Sequence, residues 1–196
     1  MILGLTGSIA CGKTETAEIL KSLGAYVIDA DVISKKLTQK NKIILNQIRK
    51  KLGKDIFFEN GDLDRKKLAD IVFSNDKYRK DLEKILIPKI IKKIKEIAHK
   101  NSKQKFLVID APLLFETKLH KFCDKTLTIS STRANQIKRL KLRNNLTQFQ
   151  IKQRIRSQIS LKEKEKLSDF VIKNNDTQRN LEKRVTDFLN FLKTTY

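Results

Sequence analysis

Apolar residues along this chain form two kinds of pattern, short unbroken runs and longer stripes at helical spacing. The stripes repeat every three or four residues, as Leu181, Val185 and Leu189 do. Runs without polar alternation are typical of parallel strands that helices cover on both faces. Together the two patterns predict an α/β fold, with a doubly wound parallel sheet flanked by helices. The five predicted strands lie at residues 2–5, 26–28, 106–109, 127–129 and 170–172.

The predicted strands are unevenly distributed, which indicates how the chain is organised. Residues 31–102 carry helical patterns, and we expect them to form a helical lobe inserted into a single domain. Residues 1–30 and 103–196 then form the sheet core. Within the lobe, Asp64 is placed to cap a helix, and Pro88 interrupts the longest apolar stripe, which predicts a kink or a break there.

The composition adds a strong positive charge. The chain has 196 residues, about one domain, and 43 Lys and Arg against 22 Asp and Glu give a net charge of +21. Such a surface attracts polyanions. The excess is spread along the chain rather than clustered, which favours solvated helix faces over a specific nucleic-acid site.

Targeting and metal signals are absent from the sequence. No charged residue precedes Lys13, and no apolar run reaches the roughly 18 residues that span a bilayer, so we expect a cytoplasmic protein without membrane contact. Cys11 and Cys123 cannot form a disulfide framework for this length. His120 lies three residues before Cys123, a spacing too sparse for a zinc site. The sequence does not indicate an oligomeric state.

The turn after the first strand carries the strongest motif. It reads Gly7-Ser8-Ile9-Ala10-Cys11-Gly12-Lys13-Thr14, a full match to G-x-x-x-x-G-K-[ST] between a strand and a helix. In such a P-loop the backbone N–H groups point at phosphate oxygens, and the helix N-terminus adds its positive end. Lys13 then bridges the outer phosphates, and the Thr14 hydroxyl binds Mg²⁺. We expect Cys11 to be a small filler whose backbone N–H binds phosphate rather than a redox switch, although a helix N-terminus lowers a thiol pKa, so that alkylation of Cys11 could be fast.

Acidic residues follow two of the predicted strands. Asp110 ends the third strand as a Walker B acid does, and could hold Mg²⁺. Because Ala111 follows it instead of a second acid, transfer to a substrate hydroxyl is favoured over hydrolysis. Asp31 comes just after the second strand and is either a catalytic base or a helix N-cap, with Asp29 as the alternative carboxylate.

Two arginines stand one turn apart on a predicted helix. Arg139 and Arg143 are four residues apart, so both guanidinium groups project from one face. They either stabilise charge on the β- and γ-phosphates from a closing lid or form a solvated basic face.

Beyond the P-loop, six further segments together resemble the dephospho-CoA kinase family over most of the chain, in the family's order. They are Asp29-Ala30-Asp31, Leu63-Asp64-Arg65 with Leu68 and Phe73, Pro112-Leu113-Leu114-Phe115-Glu116, Arg139-Leu140 with Arg143, Arg154 with Gln158, and Ser168-Asp169-Phe170-Val171-Ile172 with Asn174.

This resemblance implies a P-loop NTPase fold and ATP-dependent phosphorylation of the 3′-hydroxyl of dephospho-CoA, with ATP and Mg²⁺ as cofactors. Residues 31–102 would be the substrate lobe and residues 132–166 the lid. The implied roles are catalysis by Asp31, Lys13 and Arg139, metal binding by Thr14 and Asp110, and ATP binding by Ala10, Cys11, Gly12, Lys13, Thr14, Glu15 and Arg143.

The sequence departs from the family pattern at four positions. Ala10 and Cys11 stand where Gly and Ser are usual, Glu15 replaces a Thr, and Ile87 replaces a His. A nucleoside monophosphate kinase is one rival reading, but the Asp29-Ala30-Asp31 turn argues against it. A nucleic-acid-binding ATPase is the other, but it would need a hydrolytic Glu and aromatic residues interleaved with basic ones.

Overall fold

The computed structural model describes residues 1–144 and 148–195, except for the side chains of Lys40, Arg143, Asn144, Gln148 and Phe149. Its strands are β1 (Ile2–Gly7), β2 (Tyr26–Asp29), β3 (Leu107–Asp110), β4 (Lys125–Ser130) and β5 (Phe170–Lys173). Its helices are α1 (Lys13–Ser22), α2 (Ala30–Lys40), α3 (Lys42–Leu52), α4 (Arg65–Ser74), α5 (Asp76–Lys100), α6 (Arg133–Asn144), α7 (Gln148–Arg156), α8 (Leu161–Leu167) and α9 (Gln178–Thr195).

The five strands form one parallel sheet in the order β2-β3-β1-β4-β5. This confirms the predicted fold class. β1 lies at the centre, and five of its six residues are buried, as its unbroken apolar run predicts. The core around the sheet continues into α1 and α9, where Leu20, Val185 and Leu192 have no exposed surface.

The chain divides into two compact units. Residues 1–29 and 97–196 form the first, which we call the sheet unit, and residues 30–96 form the second, the helical unit. The helical unit ends at Glu96 rather than at residue 102, because the last turn of α5 packs within the sheet unit. There the His99 ring meets the Phe122 ring edge-on at 6.0 Å.

The helical unit has its own apolar core, and local signals set its helix boundaries. Ile44, Ile48 and Ile56 are fully buried in this core. Asp64 caps α4, as predicted, by accepting hydrogen bonds from the N–H groups of Lys66 and Lys67 at 3.1 and 3.0 Å.

Two further features of the helical unit concern α5 and the contact between α4 and α2. Pro88 lies inside α5, which continues through it, so the structure excludes the break. Arg65 of α4 donates to the Lys35 carbonyl at 2.9 Å and to the Thr38 hydroxyl at 2.7 Å, which ties α4 to α2.

Within residues 1–144 and 148–195, no helix is both long enough and apolar enough to cross a bilayer.

Candidate active site

The P-loop runs from the end of β1 to the start of α1. Its backbone conformation and close packing explain why Gly7 and Gly12 are glycines. A Cβ at Gly7 would lie 2.7 Å from the Ile129 carbonyl oxygen. Gly12 has φ +95°, and a Cβ there would lie 2.0 Å from Asn174 Nδ2, so no side chain fits. Ala10 is also left-handed, at φ 59°. It adopts this conformation where the family pattern has Gly, at a steric cost of about 1 kcal/mol.

Lys13 and Asp110 meet at the carboxyl edge of the sheet. Lys13 is the first residue of α1, and its ammonium is ion-paired with the Asp110 carboxylate. The Lys13 side chain is 14% exposed and that of Asp110 3%. Asp110 ends β3, where it stands in register with Leu5 of β1 and Asp29 of β2. The strand order therefore places Asp110 beside the P-loop strand β1 and Asp29 one strand further away, on β2.

Three side chains donate hydrogen bonds to backbone carbonyls of the P-loop. Gln136 Nε2 donates to the Ile9 carbonyl at 2.9 Å, Arg139 Nη1 to the Ala10 carbonyl at 3.2 Å, and Asn174 Nδ2 to the Cys11 carbonyl at 2.9 Å. Arg139 lies beside the loop, and it also donates to the Asn174 carbonyl at 3.1 Å.

Sequence reasoning gave Gln136 and Asn174 no role. Both are nearly fully buried, at 3% and 4% exposure. The available signal was Asn174 at the end of a family motif. Gln136 had no signal other than a polar residue one turn before Arg139.

The predicted reactivity of Cys11 is wrong. Its side chain is fully buried, and this burial raises the pKa of the thiol to about 11. Burial outweighs the opposing effects of a hydrogen bond from Gln136 and the charge of Arg139. The thiol is therefore protonated at neutral pH. The Cys11 N–H, predicted to bind phosphate, makes a 3.3 Å hydrogen bond to the Ser8 carbonyl.

A buried ion pair lies close to the loop in the sheet unit. Lys164 of α8 is fully buried, and its ammonium lies 3.1 Å from Glu116 Oε1 and donates to the Pro112 carbonyl. Burial lowers the pKa of Lys164, while the Glu116 charge opposes that shift. Glu116 Oε1 also accepts from the Ile159 N–H at 3.1 Å. Glu116 thus has a structural partner that the sequence did not reveal.

Thr14 and Glu15 lie in the first turn of α1. Both line a groove of about 430 Å³ between α1 and the start of α9, together with Glu18, Ile19, Ser22, Gln178 and Glu182. Glu15 is exposed. Its carboxylate oxygen would lie 3.0 Å from a Cβ at Gly12, so the side chain reaches back toward the loop.

For two other predicted residues, Asp31 and Arg143, the structure gives the helix that carries them. Asp31 belongs to the helical unit, two residues after Asp29, in the first turn of α2. Because α2 begins at Ala30, Asp31 is not the residue that precedes the helix. Arg143 belongs to α6, but its side chain lies outside the described residues.

Solved structures define the class of protein. Shikimate kinase from Acinetobacter baumannii aligns with a TM-score of 0.55 at 16% identity, over 98% of this chain and 94% of that chain. Its match establishes the fold alone. With the P-loop and the parallel sheet, it places the chain among the P-loop NTPase folds.

Closer relatives define the family. The model of the family described as "Dephospho-CoA kinase" matches residues 1–180 of this chain. Dephospho-CoA kinase from Fusobacterium nucleatum is 39% identical over 188 residues, 96% of each chain. Dephospho-CoA kinase from Campylobacter jejuni aligns with a TM-score of 0.71 at 32% identity, over 97% of this chain and 96% of that chain. The chain belongs to the dephospho-CoA kinase family, which phosphorylates dephospho-CoA with ATP in coenzyme A biosynthesis, and the predicted resemblance is confirmed.

Proposed function

We propose that this protein transfers the γ-phosphoryl group of ATP to the 3′-hydroxyl of dephospho-CoA, giving coenzyme A and ADP. Family membership supports the reaction. The structural observation that carries it is the pairing of Lys13 with Asp110 beside the P-loop. The ammonium thus lies next to a loop whose backbone N–H groups suit a triphosphate.

On this proposal, Lys13 exchanges its carboxylate partner for the β- and γ-phosphates when ATP binds. Phosphate oxygens carry more charge than one carboxylate, and charge-assisted bonds to them are strong. Arg139, which donates to the Ala10 carbonyl of the P-loop, is assigned to stabilise charge in the transition state. Arg143 is assigned to support it from the next helical turn.

The donor set suits Mg²⁺. Thr14 offers a hydroxyl and Asp110 a carboxylate that is 3% exposed, and oxygen ligands are the ones that Mg²⁺ prefers. These two residues would hold the ion, which neutralises phosphate charge when it is bound.

Asp31 is assigned as the base that accepts the proton of the attacking hydroxyl. Residues 31–102 are assigned to bind dephospho-CoA, and residues 132–166 to close over ATP. Asp29, which ends β2 in register with Asp110, is the second carboxylate to be tested.

A coupled assay of ADP release tests the proposal with dephospho-CoA, AMP, shikimate or no acceptor. We expect turnover with dephospho-CoA and only background with the others. Replacing Lys13 by Ala should reduce turnover by about 10³-fold or more. Lys21→Ala is the matched control, because Lys21 is exposed at the other end of α1. Equal turnover with AMP, or a fully active Lys13→Ala variant, would refute the proposal.

A further inference from the structure

Three consecutive carbonyls of the P-loop, those of Ile9, Ala10 and Cys11, each accept a hydrogen bond from a different side chain. Their donors are Gln136, Arg139 and Asn174. The next carbonyl, at Gly12, accepts from the Thr16 N–H and hydroxyl at 3.0 Å within α1.

A trans peptide is planar, so the carbonyl of one residue and the N–H of the next point in opposite directions. Fixing the carbonyls of Ile9 and Cys11 therefore fixes the N–H groups of Ala10 and Gly12 toward the opposite side of the loop, whereas the Cys11 N–H donates to the Ser8 carbonyl at 3.3 Å. Each bond to a carbonyl also polarises its peptide, which makes the N–H a stronger donor.

Asn174 and Gln136 make further hydrogen bonds besides those to the loop carbonyls. The Asn174 N–H donates to the Ser130 carbonyl at 2.7 Å, at the end of β4. The Asn174 carbonyl accepts from the Ser131 hydroxyl at 2.9 Å and from Arg139 Nη2 at 3.1 Å. Gln136 Nε2 also lies 3.2 Å from the Cys11 sulfur.

We infer that Gln136 and Asn174, acting with Arg139, are positioning residues that hold the P-loop open for a triphosphate by tethering its carbonyls. This inference rests on the proposed function, in that a nucleotide occupies the loop. It also accounts for Ala10, because side chains from other elements hold this backbone without the glycine that the family pattern has there.

Inorganic tripolyphosphate has no base or sugar. Its binding therefore distinguishes positioning of the P-loop from a contact with the base or sugar of the nucleotide. Kd is measured by calorimetry for tripolyphosphate and ADP, with Mg²⁺ in fixed excess. Asn174→Asp removes the donor to the Cys11 carbonyl and adds one negative charge. Asn175→Asp adds the same charge one residue away, but it keeps the side-chain oxygen that accepts from the Thr132 N–H at 2.9 Å.

We expect Asn174→Asp to raise Kd about 10-fold relative to Asn175→Asp, by a similar factor for both ligands. Gln136→Met, which adds no charge, should raise both values about 3- to 10-fold. If Asn174→Asp does not fold, Gln136→Met still tests the inference. In the kinase assay, KM for ATP should rise and KM for dephospho-CoA should stay constant.

Unchanged Kd values in folded variants overturn the inference, and so does weaker ADP binding with unchanged tripolyphosphate binding. A wild-type protein that binds neither ligand instead refutes the proposed function, so the two failures are distinguishable.

Discussion

Replacing Glu116 by Gln should destabilise the protein strongly, because it leaves the buried ammonium of Lys164 without a counter-charge. Lys164 has no exposed surface, and its Nζ lies 3.1 Å from Glu116 Oε1. Removing one partner of a buried pair costs about 3–5 kcal/mol. Glu116 is 18% exposed and Gln retains an acceptor oxygen, so we expect a loss of about 3 kcal/mol at pH 7. For a chain of this size the loss lowers Tm by about 6–12 °C.

The loss of stability in Glu116→Gln should also depend on pH, and the lowered pKa of Lys164 sets the direction of this dependence. Burial is the main cause of that lowering, and the Glu116 charge opposes it. Removing the charge lowers the pKa of Lys164 further. A lysine whose pKa is lower in the folded state binds fewer protons when folded, so stability rises with pH between the folded and unfolded pKa values. The deficit of the variant should therefore shrink as the pH rises from 7 toward 10.

Urea unfolding of wild type and variant at pH 7, 8, 9 and 10 measures this deficit. The control adds Lys164→Met to Glu116→Gln, which removes the unpaired charge and should recover part of the lost stability. A deficit that is equal at every pH would refute the reasoning. So would a double variant less stable than Glu116→Gln alone.

Three further predictions concern other residues. Replacing Asp31 by Asn should lower kcat by about 10²–10⁴ with little change in ATP affinity, whereas a lower Tm with kcat retained would show a structural role. Replacing Asp64 by Ala should cost about 1 kcal/mol in urea unfolding, because α4 loses its cap; no measurable loss would contradict the capping. Cys11 should react slowly with iodoacetamide at pH 7.5 in the folded protein and rapidly in urea, as mass spectrometry can follow, because burial raises its pKa to about 11.

The strands and the P-loop could be predicted because their signals are local. Each predicted strand overlaps an observed one, since unbroken apolar runs mark strands covered on both faces. The tethers could not be predicted, because Gln136 and Asn174 lie 127 and 163 residues along the chain from the carbonyls that they bind.

Burial explains two other differences between sequence and structure. A lysine is normally placed at the surface, yet Lys164 is fully buried. The position of Cys11 before a helix N-terminus predicts a lowered pKa, but the pKa is raised, because the loss of hydration depends on packing that no motif encodes.

The tethered loop also bears on how the protein is made. Asn174, which holds the Cys11 carbonyl, is synthesised some 160 residues after the phosphate-binding motif. A nascent chain that stops before β5 carries the whole motif without the side chain that orients it. On the inferred role of Asn174, ATP binds the completed fold more tightly than a chain that lacks this residue, so by mass action it stabilises finished molecules over partial ones.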